Sequence, residues 1–440
     1  MGSTISITFL AKRASFCLLL FLTAHYSPLP AQVTAVRAGR MVDVERGRLL
    51  ADQLILIEGD RITEVRPDDG SLPAGARVID LRGFTVAPGL IDLHTHLMDE
   101  MSADPLAPLA RSAAQMAFDG ARNARRTLEA GFTTVRDMGT WRVFTDAALR
   151  DAINAGVVPG PRMSVAGAYV TVSGGGGEIT GLAPGVRLPD EMRAGVANSA
   201  DEVRQRVREL LGGGADFIKV IATGAVLTLG TTPGAAEYSE TEIRAAVVEA
   251  SERGAFVAAH AHGADGIKRA VRAGVRTIDH GSFLDDEGIA LMKARGTWLV
   301  ADVWNGDYIE ETGRRDGWPE EYLRKNAETV QVQREAFRRA LAQGVRIAYG
   351  TDAGVYPHGM NGRQLATMVR LGMTPLAALQ SATIEAARVL GWEDRVGSIS
   401  SGRYADLVAV SGSDLGDLSA FASVPFVMKG GVVVKQNAGP

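Results

Sequence analysis

The sequence predicts an α/β protein: a (β/α)8 TIM barrel with a small discontinuous β-sandwich built from both ends of the chain. Three observations carry that expectation. Through residues 87–396, helical stretches end in glycine and short apolar strands follow. Strand-like runs occupy both termini. Six of the seven histidines fall at, or just beyond, the end of a predicted strand.

At the N-terminal side, residues 51–60 read as strand and turn, 61–65 continue them, and 78–81 add another strand before Gly83. The same texture returns at 405–410 and 426–434. These runs predict a sandwich domain from residues 32–86 and 397–440 around a barrel of residues 87–396. The first barrel strand is expected over 85–93. Later strands follow Gly131, Gly156, Gly214, Gly254, Gly274, Gly296 and Gly344. Glycine suits that position because the residue past a helix often needs φ > 0. Continuous apolar strands such as Phe256-Val257-Ala258-Ala259 are buried on both faces, as in parallel sheets. An open doubly wound sheet is the competing architecture, but no Gly-rich nucleotide turn follows the first strand.

The 440 residues suffice for a barrel with an accessory domain, and 46% hydrophobic with 22% charged residues is ordinary globular composition. A formal charge of −4, without a basic run, argues against a nucleic-acid partner. Residues 1–31 read as a signal peptide. Lys12 and Arg13 precede an apolar run over 14–24, and small residues surround 29–31. That run is short for a bilayer span, so the expectation is a secreted or periplasmic protein with no stable membrane anchor after cleavage; an uncleaved tether is the competing reading. Cleavage before Gln32 takes the formal charge to −6 by removing Lys12 and Arg13. It also removes Cys17, the only cysteine, leaving neither disulfide nor thiol nucleophile.

Barrels place chemistry at the C-terminal ends of their strands. His94 and His96 close the first strand in Leu90-Ile91-Asp92-Leu93-His94-Thr95-His96. Residues two apart share a face and can bind one metal, although an isolated H-x-H is equally a satisfied core pair. His260 and His280 end the fifth and sixth strands and suit a second metal, and Asp352 after the eighth supplies a carboxylate. Lys219 interrupts the apolar strand Phe217-Ile218-Lys219-Val220-Ile221. Burial depresses a lysine pKa, and the neutral amine can add CO2 to become a carbamate that bridges two metals; a lysine snorkelling to the rim is the alternative. Nitrogen and oxygen donors without thiolate suggest two divalent ions, Zn2+ first. A hydroxide between two such ions is a nucleophile near neutral pH, and Asp352 would take its proton and pass it to a leaving amine.

These motifs resemble the amidohydrolase superfamily over nearly the whole mature chain, including Gly350-Thr351-Asp352, Gly372-Met373-Thr374-Pro375 and Gly402-Arg403-Tyr404-Ala405-Asp406. Lys219, Ala259-His260-Ala261-His262-Gly263 and Tyr238-Ser239-Glu240 bring the chain nearest to a binuclear group: Xaa-Pro dipeptidases, arginine/lysine carboxypeptidases and ochratoxin-hydrolysing amidases. The resemblance implies a small dipeptide or N-acyl amino acid as substrate, Lys219 N-carboxylated by CO2, and a homo-oligomer. It also implies that Tyr238 contacts the substrate carboxylate and that His262 lies in or just behind the pocket; a purely structural His262 is the alternative. His358, beyond the eighth strand, is the remaining candidate for contact with substrate. One departure stands out: many relatives carry Gly-Gly-His-Gly where this chain has Ser173-Gly174-Gly175-Gly176-Gly177, so Gly176 replaces a histidine that helps hold substrate. The loops 171–189 and 222–238 are expected to cover the site. Two other functions compete: hydrolysis of a cyclic amide, as in imidazolonepropionase-like relatives, and a non-catalytic binding protein on the same scaffold.

Overall fold

The computed structural model describes residues 1–2, 32–412 and 415–437. The expected signal peptide, including Lys12, Arg13 and Cys17, therefore lies outside the described residues except for Met1 and Gly2. Among the described residues no helix is long and apolar enough to cross a membrane.

The N-terminal strands are β1 (Thr34–Asp43), β2 (Arg48–Glu58), β3 (Arg61–Pro67) and β4 (Arg77–Pro88). The barrel follows with β5 (Leu90–Thr95), β6 (Phe132–Asp137), β7 (Arg162–Val165), β8 (Tyr169–Val170), β9 (Ile218–Ile221), β10 (Val257–Ala261), β11 (Thr277–His280), β12 (Trp298–Ala301) and β13 (Ile347–Tyr349). The chain ends with β14 (Leu407–Ser411), β15 (Phe426–Lys429) and β16 (Val432–Gln436).

Both ends of the chain share one seven-stranded sheet, in the order β16-β15-β14-β4-β1-β2-β3. The long β4 joins the halves. It pairs parallel with β1 through Val36↔Ile79 and antiparallel with β14 through Val86↔Ala409. Alternation along β14 then sorts side chains to two cores. Leu407 and Ala409 join Val36, Ile55, Ile79, Phe426 and Met428 within the sheet domain, while Val408 and Val410 pack into the barrel's core. The expected sandwich is thus one continuous sheet whose inward residues from both termini form a common cluster.

The barrel strands run parallel, with almost every side chain buried. The third barrel position is split at Gly167 (φ +77°): β7 pairs with β6, and β8 with β9. A parallel bridge between Thr95 and Ala353 closes the ring. All seven junction glycines take φ between +69° and +111°, the conformation the sequence pattern demanded of them. Between the last two barrel strands the chain inserts two helices, Asn305–Asp316 and Glu320–Ala342, where the sequence pattern had marked only one βα step. The longer one sends Asn326, Thr329 and Gln333 toward the barrel mouth.

Candidate active site

The C-terminal end of the barrel opens into a cavity of about 160 Å3 lined by His94, His96, Lys219, His260, His280 and Asp352 together. Every expected metal ligand is therefore in one place. His94 and His96 each bring Nε2 to within 3.3 Å of Asp352 Oδ1. His260, His262 and His280 form a second cluster in which one ligand atom from each lies within 4.8 Å of the others. His280, Asp302 and Asp352 satisfy the same limit, so the two clusters meet. Two candidate ligands hold strained backbone: His280 (φ +72°) and Asp352 (φ +59°) adopt the left-handed region that non-glycine residues rarely occupy.

Backbone carbonyls fix the tautomers of two of the rings. His96 Nδ1 lies 3.2 Å from Gly139 O, and His260 Nε2 lies 3.3 Å from Gly224 O. A carbonyl only accepts, so these nitrogens carry the protons, and His96 Nε2 and His260 Nδ1 present lone pairs. Asp279 Oδ2 sits 3.2 Å from His94 Nδ1, and Asp302 Oδ2 sits 3.0 Å from His280 Nδ1, the carboxylate–histidine arrangement that orients metal-bound imidazoles. His262 Nδ1 is 2.7 Å from Ser282 Oγ. Burial, aided by Lys219, lowers the His94 pKa to about 3, and burial with neighbouring His280 lowers His262 to about 3, so both rings are neutral at physiological pH. Burial opposes ionisation of Asp352, but the surrounding imidazoles, His94 first, hold its carboxyl well below the usual range. Imidazole nitrogens and an ionised carboxylate converging on common points are a fitting donor set for divalent cations.

Lys219 is 2% exposed, and its Nζ is 3.5 Å from Asp279 Oδ2. Asp279 is already neutralised. Arg136, fully buried, donates Nη2 to both of its oxygens at 3.1 and 3.2 Å and Nε to Leu93 O at 2.6 Å. Burial lowers the Lys219 pKa; Asp279 opposes that shift and Arg136 reinforces it. The amine is thus free to be neutral without stranding a carboxylate.

Two expected substrate contacts lie elsewhere. Tyr238 is 1% exposed, packs in the barrel core, and donates its hydroxyl to Ala197 O at 2.7 Å. It precedes Ser239, the N-cap of helix Glu240–Ser251, whose capping box is completed by Glu242. Tyr238 and the buried Ile243 occupy the two positions of a hydrophobic staple, so the Tyr-Ser-Glu signal marks a helix start. Tyr238→Phe is expected to cost about 1 kcal/mol of stability and to leave KM unchanged; denaturant melts and steady-state kinetics check this. His358 is also outside the cavity. Its Nε2 donates to Asp99 O at 3.1 Å, and the ring braces the turn after the His96 strand. His262, in contrast, lines the cavity and stands among the candidate ligands.

Asp99, Arg136, Asp279, Asp302 and Gln333 escaped the sequence reading. Asp302 follows directly on β12, and Asp279 precedes His280, so strand-end position was the available signal for both. Both covering loops reach the cavity as expected, through Gly176 and Gly177 and through residues 225–228. A Cβ on Gly176 would lie 3.1 Å from Ala225 N and 3.2 Å from Ile221 Cγ2, so the loops close tightly at this position. Glu237 fastens them by accepting from Gly176 N at 3.0 Å, and burial raises its pKa to about 7. A carboxyl whose folded pKa lies above its ordinary 4.5 loses stabilisation as pH rises from 4.5 to about 7. Glu237→Gln should therefore gain in Tm over the wild type between pH 5 and pH 8, measured by calorimetry at both.

Residues 85–435 match the Amidohydrolase family. The chain is 30% identical to ochratoxinase from Aspergillus niger over 427 residues, covering 92% of this chain and 87% of the relative. A crystal structure of a Xaa-Pro dipeptidase with bound methionine in its active site superposes with a TM-score of 0.87 at 37% identity, covering 91% of this chain and 99% of the other. A prolidase complexed with N-methylphosphonate-L-proline gives 0.85 at 33% identity, covering 92% and 100%. The chain thus belongs to the amidohydrolase family as a hydrolase of amide bonds.

Proposed function

We propose that the chain hydrolyses the amide joining an amino acid to an aminoacyl or acyl group in small substrates, dipeptides and N-acyl amino acids, with ochratoxin A among the candidates. The observation that carries this reading is the meeting of two ligand clusters, His94/His96/Asp352 and His260/His262/His280, beside the buried amine of Lys219. In this reading His94, His96 and Asp352 would hold one divalent ion, His260 and His280 would hold a second, and Lys219, with CO2 added at Nζ and a proton released, would supply a further anionic donor. Zinc suits the donors. Bound metal would supply Lewis acidity toward the scissile carbonyl and a more acidic water. Asp352, held ionised, takes the proton of the attacking water and returns it to the departing amine nitrogen. Met101, Trp141, Ile221, Ile309 and Val355 form an apolar wall that suits hydrophobic side chains of the substrate and excludes bulk water.

Tyr238 in the core leaves this reading without the carboxylate contact expected of it. Secretion and homo-oligomeric assembly belong to the same proposal. The test is release of free amino acid by zinc-loaded protein from a panel of dipeptides, N-acyl amino acids and ochratoxin A. Release supports the reading; hydrolysis confined to a cyclic amide overturns it.

A further inference from the structure

The tip of covering loop 222–238 is fastened to the helix Glu320–Ala342 through a buried cation. Lys325 is 2% exposed, and burying an ammonium is costly unless its donors are met. Its Nζ carries three hydrogens and finds three acceptors: Thr228 O at 2.7 Å, Ala225 O at 3.5 Å and Glu321 Oε1 at 2.6 Å. The same Glu321 oxygen accepts from Gly230 N at 2.9 Å. One helical turn thus grips the loop at three backbone atoms. Leu227 and Leu229 add apolar packing against the cluster that contains Ile309, Tyr322 and Leu323.

The grip lies between two parts of the cavity wall. Ala225, Val226, Leu227 and Thr228 line the cavity from the loop, and Asn326 and Thr329 line it from the helix. Thr228 Oγ1 also donates to Gly176 O at 2.8 Å, so the other covering loop is tied to the same tip. The root of loop 222–238 is fixed separately. Ala222 N donates to His260 O at 2.9 Å, and Thr223 Oγ1 accepts from His262 N at 3.0 Å. Releasing the tip therefore reshapes the wall at Val226 and Leu227 while the strand end that carries the two histidines keeps its own bonds.

We infer that Lys325 is a positioning residue: it holds the loop tip closed over the cavity and thereby sets the affinity for substrates with a large apolar side chain. This rests on the amide-hydrolase reading above and adds to it the group that shapes one wall of the pocket. Lys325→Met keeps an apolar stem and removes the cation. Thr231 Oγ1 remains 3.0 Å from Thr228 O and 3.1 Å from Ala225 O, so a donor stays beside both carbonyls. Glu321, partly exposed, keeps Gly230 N and gains water. The consequence is local opening of the tip, with the barrel intact.

The experiment follows amide hydrogen exchange of wild type, Lys325→Met and Glu321→Gln by mass spectrometry, and measures kcat and KM of the same zinc-loaded preparations on Ala-Phe, Phe-Ala and Ala-Gly. Exchange in Lys325→Met should quicken about 10-fold or more across residues 225–231 and stay unchanged in the barrel strands. KM should rise about 5- to 10-fold for at least one of the phenylalanine dipeptides and hardly move for Ala-Gly, with kcat held within about twofold. Glu321→Gln, at the partly exposed end of the pair, should shift both readouts the same way by less, and it carries the test if Lys325→Met does not fold. Arg324→Gln, at an exposed ion pair on the same helix, should move neither. Unchanged exchange at the tip, faster exchange with unaltered KM, or equal losses on all three dipeptides overturns the inference while leaving amide hydrolysis standing. No release by wild type from any of the three overturns the dipeptide reading and the inference with it.

Discussion

Lys219→Ala is expected to lower kcat by on the order of 10²–10³-fold and to reduce the metal bound per chain. The variant removes the one lysine amine in the cavity wall among the described residues, and with it the anionic donor proposed between the two clusters. Asp279 keeps its partner in Arg136, so no buried carboxylate is stranded and the fold survives. Lys219→Arg sharpens the test, because a guanidinium keeps the positive charge but does not take up CO2. Both variants should lose turnover and metal together, measured by steady-state kinetics and elemental analysis of the same preparations. Full activity with both ions retained in Lys219→Ala rules out the carbamate role.

Asp352→Asn is expected to cut turnover by about 10²–10⁴-fold, the range for removing a general acid–base group. Asparagine tolerates the left-handed backbone that Asp352 adopts at φ +59°, so this replacement leaves the strand end intact. It retains an oxygen toward His94 and His96 but no longer accepts a proton. Metal at the His260, His262 and His280 cluster should persist. The expected pattern is therefore a large loss in kcat with a small change in Tm, and unchanged turnover would remove Asp352 from the proton path.

The barrel was legible because its signals are local. Each junction glycine answers to one backbone conformation, and each apolar strand to burial on two faces. The proximity of the candidate ligands was legible for a related reason: strand ends share one rim, so His94, His96, Lys219, His260, His280 and Asp352 come together through topology. Asp302 and Asp279 stood at strand ends too, but aspartate is common there, and only contact with His280 and His94 distinguishes them. Tyr238 and His358 show the limit of motif reasoning. Each sits near chemistry in the sequence, yet one is a staple for a helix start and the other braces a turn.

In the proposed function, amide hydrolysis requires two divalent ions held by this chain's own rim residues. The most direct measurement strips the protein with a chelator and follows dipeptide hydrolysis as Zn2+ is returned in known equivalents. Negligible activity in the stripped protein and a rise that levels off at two equivalents per chain are expected. Full activity without metal, or a plateau at one equivalent, would contradict that requirement.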